Sequence, residues 1–129
     1  MRKKNQTESP IQLCVSIKGE DAYVYVNGAN IATKKRARSQ YALLDILTDH
    51  FYHSYVRNRR GNDYLSIQQL ISMMESEHGI EIGQDLQIRR PLRRVGEKVS
   101  ERLFIPENLF IEMLPWHGYR FNPNYVRLG

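Results

Sequence analysis

Cysteine is almost missing from this chain. Cys14 is the only one, which rules out an intrachain disulfide and a zinc site built on four cysteines, so the sequence suits a reducing cytosol. No apolar run approaches the about 18 residues of a membrane-spanning segment. A glycine-rich phosphate loop, an internal repeat and a low-complexity tract are also lacking. Residues 1–10 carry basic groups with no apolar core behind them, a pattern that does not make a secretory signal peptide. These gaps point to a cytoplasmic protein with no membrane partner. Acidic residues are outnumbered, with 14 Asp and Glu against 19 Lys and Arg, and the net charge of +5 favours polyanionic partners.

With 129 residues, 41% of them hydrophobic, the chain can bury one modest core. The expected organisation is a polar tail at residues 1–10, one domain at 11–123 and a short tail at 124–129. Residues 11–17 and 22–26 are rich in β-branched and aromatic side chains and flank a turn at Gly19-Glu20-Asp21, which makes a hairpin. Asn27-Gly28 supplies the positive φ angles of a second tight turn, after which residues 30–33 return as a third strand.

From Ser39, taken as an N-cap, the apolar residues Tyr41, Leu44, Leu47, Phe51 and Tyr55 recur at helical spacing until about Arg57. A strand-like link at Tyr64-Leu65 follows. Ser66 with Gln69 forms a capping box for a second helix that ends near His78-Gly79. Residues 80–88 read either as a loop or as a first helical turn. A third helix is expected from about Pro91, with Leu92, Val95, Val99 and Leu103 on its apolar face and Gly96 as a weak point. Residues 109–114 and 119–121 then flank Pro115-Trp116-His117-Gly118 as a closing hairpin. The fold expected is α+β: an N-terminal antiparallel sheet, three helices and a C-terminal β-hairpin wing, which is a winged helix-turn-helix.

The basic residues fall in three clusters: Lys34, Lys35, Arg36 and Arg38; Arg57, Arg59 and Arg60; and Arg89, Arg90, Arg93, Arg94 and Lys98. In a helix, Arg90, Arg93 and Arg94, with Glu97 at the edge of the same face, lie roughly opposite Val95 and Val99, so a basic stripe can look outward while the apolar stripe packs. Arginine forks pair with guanine edges or grip phosphate oxygens. The bland reading of each run is a solvated surface. Catalytic chemistry finds little footing: His50 and His53 are spaced for a metal, but only Asp49 stands near them, and His78 and His117 have no partner pattern. No cofactor and no enzymatic activity are expected.

In their order along the chain, Gln40-Tyr41-Ala42-Leu43-Leu44, Ser66-Ile67-Gln68-Gln69-Leu70 and the closing Gly118-Tyr119-Arg120-Phe121 resemble the winged-helix effector domains of OmpR/PhoB-type response regulators over residues 12–122. The resemblance implies a cytoplasmic, bacterial-type transcription regulator that binds double-stranded DNA. It places the third helix in the major groove and the wing on the adjacent backbone, with a homodimer on repeated half-sites. The interface residues expected are Arg89, Arg90, Arg93, Arg94, Lys98, Trp116, His117 and Arg120, with Lys35 and Arg38 from the first cluster. This chain departs from the family at Pro91, within the recognition helix, and at the wing. There Pro115, Trp116, His117 and Gly118 replace an Arg-Gly-x-Gly pattern and its minor-groove arginine. No receiver domain or phosphoacceptor motif accompanies the domain, and Met1 favours a stand-alone regulator over an excised domain. The alternatives are an interaction module that docks RNA polymerase or another regulator without reading bases, and RNA binding, which lacks an aromatic stacking platform here.

Overall fold

The computed structural model describes residues 11–18, 22–57 and 63–129. The expected tail at residues 1–10, the Gly19-Glu20-Asp21 turn, Arg59, Arg60 and the side chain of Arg57 lie outside the described residues. The described residues are α+β, with three α-helices, a four-stranded sheet and a two-stranded hairpin among them.

Strand β1 (Leu13–Lys18) alternates, with Leu13 and Val15 buried and Cys14 exposed, and β2 (Tyr23–Val26) buries Val24 and Val26 in the same way. This period of two turns one sheet face onto the core. β2 continues to β3 (Ala29–Thr33) through Asn27 and Gly28, whose φ angles of +51° and +83° match the expected turn. The Asn27 amide also accepts from Cys14 N at 2.7 Å and donates to the Gln12 carbonyl at 2.9 Å, tying the turn to β1.

The sheet order is β3-β2-β1-β6, where β6 is Val126–Leu128, and β6 pairs parallel with β1 in the register Leu13 to Val126. Residues 124–129, expected from the sequence as a tail, thus contain the strand Val126–Leu128 of the sheet. The buried Asn122 turns the chain toward it, accepting from Asn124 N at 3.0 Å through its side chain and from Val126 N at 2.9 Å through its backbone.

Helix α1 (Arg38–Phe51) lays Leu43, Leu44, Ile46, Leu47 and Phe51 into the core and runs on as a π-helical turn, Tyr52–Arg57. Ser39 does not cap it. The cap position is Ala37, which makes no side-chain cap bond, and the chain enters the helix from a turn in which Thr33 accepts from Arg36 N and Ala37 N. Helix α2 (Ile67–His78) begins at the expected capping box: Ser66 Oγ accepts from Gln69 N at 3.1 Å, and Gln69 Oε1 accepts from Ser66 N at 2.8 Å. It ends at Gly79, with φ of +65°.

Helix α3 spans Leu86–Leu103, one turn earlier than expected, with Pro91 inside it. The lost proline N–H and the ring cost about 3 kcal/mol in a free helix. The early turn persists because Ile88 is fully buried and because Gln87 Oε1 turns back to accept from Gly83 N and Gln84 N. Residues 80–88 are thus irregular up to Asp85 and helical after it.

A 3-10 turn at Glu107–Leu109 leads into the terminal hairpin of β4 (Ile111–Leu114) and β5 (Gly118–Phe121). Leu65 bridges to Tyr119 through reciprocal backbone bonds of 2.8 and 2.9 Å, so the strand-like link at Tyr64-Leu65 anchors the hairpin. Phe51, Phe110 and Phe121 meet at centroid distances of 5.0 and 5.9 Å and join this hairpin to α1.

Candidate nucleic-acid interface

Along α3, Ile88, Leu92, Val95 and Val99 are buried at 3% exposure or less and pin one face of the helix to the core. The 3.6-residue period then drives the arginines between them outward. The side chains of Arg89, Arg93 and Arg94 are 50%, 81% and 50% exposed. Arg93 Nε and Arg94 Nη1 each lie 3.4 Å from the Glu97 carboxylate, and Arg89 lies 4.0 Å from Asp85. Arg90 is exposed and makes no ion pair or hydrogen bond among the described residues. Four guanidiniums against two carboxylates leave this half of the helix cationic. Exposed pairs of this kind contribute about 0–1 kcal/mol each, so a phosphate or a base edge can displace the carboxylate at small cost.

The helix divides the row between two clefts. Arg89 faces the hairpin, sharing a cleft of about 450 Å³ with Trp116, His117 and Gln68. Arg93 borders the same side beside Met113 and Tyr119. Arg90 and Arg94 line a cleft of about 790 Å³ on the other side, together with Arg38 at the start of α1. Arg38 donates to the His78 carbonyl at 2.9 Å, which closes the end of α2 and holds the Arg38 charge near that cleft.

Three residues assigned to the interface from the sequence have other neighbours. Lys98 turns inward, donating to the Ile31 carbonyl at 3.0 Å and to Gln40 Oε1 at 2.6 Å. Burial first, then the charges of Arg94 and Arg102, holds its ammonium below the ordinary lysine pKa. Lys35 sits with Lys98 and Arg102 in a separate cleft of about 670 Å³ against β3. Arg120 donates to Glu112 at 2.8 Å and places its guanidinium 4.3 Å from the Tyr64 ring centre, bracing the hairpin across its strands. Trp116 is 101% exposed at the hairpin tip, and the ring of His117 beside it lies 3.1 Å from the Pro115 carbonyl.

Glu97, which helical spacing puts on the arginine face, pairs with two of the arginines at once, at i+4 from Arg93 and i+3 from Arg94. Arg102 donates to the Asn30 carbonyl, a partner distant in sequence with no local signal. The His50 ring lies 2.6 Å from the Asp63 carbonyl, and His53 faces Asp49 at 3.5 Å, so the two point to different partners. Among the described residues no group of three or more His, Cys, Asp or Glu side chains is placed to hold a metal ion, and no helix is long and apolar enough to cross a membrane. No family model matches the chain, and no curated protein matches it significantly in sequence.

Proposed function

We propose that the chain is a winged-helix protein that binds double-stranded DNA sequence-specifically and acts as a transcription regulator. Helix α3 enters the major groove, and the β4–β5 hairpin lies against the adjacent backbone. The observation that carries this reading is the outward row of Arg89, Arg90, Arg93 and Arg94 on the half of α3 that stands beside a projecting hairpin. A major groove about 12 Å wide admits one α-helix, and arginine forks supply both phosphate grip and guanine recognition.

A salt titration of binding to mixed duplex fragments tests the proposal. Several arginine–phosphate contacts make affinity fall steeply as salt rises, because condensed counterions are released on binding. A second reading, an interaction module that docks a regulator or polymerase, draws on the exposed Met113, Leu114 and Trp116 at the place where a wing arginine would stand. Absent or salt-insensitive duplex binding would favour that reading and count against the first.

A further inference from the structure

Trp116 occupies a position that neither packing nor backbone preference explains. His117 N donates to the Leu114 carbonyl at 3.0 Å, so Leu114-Pro115-Trp116-His117 is a tight turn with proline at its second position. Trp116 holds the third position with φ of +72°. A turn with positive φ there favours glycine or asparagine, because a Cβ in the left-handed region crowds the following carbonyl. The indole recovers nothing by burial, since it is fully exposed. A strained backbone that presents a large apolar side chain to solvent is the kind of outlier from which a functional role is inferred.

The tip is also held firmly. Gly118, with φ of +123°, lies so close to Leu65 that an added Cβ would sit 1.9 Å from its carbonyl oxygen, and the Leu65–Tyr119 bonds clamp the hairpin just behind the turn. Met113 and Leu114 extend the apolar tip at 53% and 40% exposure. Arg89 lines the same cleft as the indole, and Arg93 lines a second cleft with Arg89 and Met113. An apolar wedge bordered by guanidiniums matches a minor groove, where base edges lie between two lines of phosphates and an apolar side chain can insert at a base step.

We infer that Trp116 is a wedge that stacks against a base step in the minor groove next to the groove entered by α3, partly unstacking it and bending the duplex. This rests on the DNA-binding reading and adds to it a contact, a groove and a deformation. The sequence preference of such a contact follows the ease of unstacking, so flexible pyrimidine–purine steps are favoured at the wedge position.

The chain carries its own probe, because Trp116 is its single tryptophan. The experiment titrates the full chain with an end-labelled duplex recovered by that chain from a random pool. Indole emission, duplex anisotropy and end-to-end energy transfer are recorded together. The expected result is emission quenched over the concentration range in which anisotropy rises, with the duplex ends drawn closer. Trp116→Gly should bind roughly tenfold more weakly, in line with the loss of one stacked aromatic, and should leave the duplex straighter. Its melting temperature should equal or exceed that of the parent, which separates a lost contact from a lost fold. Unquenched emission, or unchanged affinity in Trp116→Gly, would overturn the wedge while leaving DNA binding intact. No duplex recovered by the parent chain would overturn both.

Discussion

Two hairpin turns of this protein, β2–β3 and β4–β5, solve the same geometric problem in opposite ways. Between β2 and β3, Asn27 and Gly28 take positive φ angles that suit them, and the Asn27 side chain is spent on two hydrogen bonds back to the sheet. Between β4 and β5, a positive φ falls on Trp116, whose side chain touches solvent. The first turn is optimised for folding. The second gives up about 1–2 kcal/mol of backbone preference to present an indole beside a row of arginines. The Asn27 side chain should therefore be costly to remove in stability and silent in binding, and the Trp116 side chain should behave in reverse.

The two hairpins differ most at their glycines. Gly118→Ala should cost more than about 3 kcal/mol, because its Cβ meets the Leu65 backbone and its φ of +123° suits only glycine. Gly28→Ala meets no atom within 4 Å and should cost only about 1 kcal/mol of backbone strain. Denaturant melts of the two variants measure the gap, and equal losses would break the view that the second hairpin is clamped behind its tip.

Next in size, Arg93→Ala and Arg94→Ala should each weaken duplex affinity by about 1–3 kcal/mol if they reach base edges, with melting unchanged. Asn27→Ala, by contrast, should lose about 1–2 kcal/mol of stability through its two hydrogen bonds and leave duplex affinity untouched. The smallest effect is a gain: Trp116→Gly should stabilise the fold by about 1 kcal/mol, since glycine accepts the left-handed conformation. A destabilised Trp116→Gly would mean that the indole packs where it is shown exposed.

Local signals were legible in the sequence and distant ones were not. The capping box at Ser66 and Gln69 and the Asn27-Gly28 turn each depend on residues a few positions apart, and both stand where the residue types placed them. Periodicity along α3 was enough to turn Arg90, Arg93 and Arg94 away from Val95 and Val99. The sequence places its start at Pro91, which suits the first helical position, whereas burial of Ile88 carries the helix a turn further back. β6 was missed because three residues carry little pattern and their partner, β1, lies at the other end of the chain. Lys98 belongs to the same class: its spacing admits an outward position, and only the approach of Ile31 and Gln40 draws it inward.

The row of guanidiniums on α3 is tested most directly by the salt dependence of duplex binding, measured side by side for the parent chain and for a variant with Arg89, Arg90, Arg93 and Arg94 all changed to alanine. The account predicts a steep negative slope of log affinity against log salt for the parent, reduced in the variant by roughly one for each arginine that grips a phosphate. Equal slopes in the two proteins would contradict it.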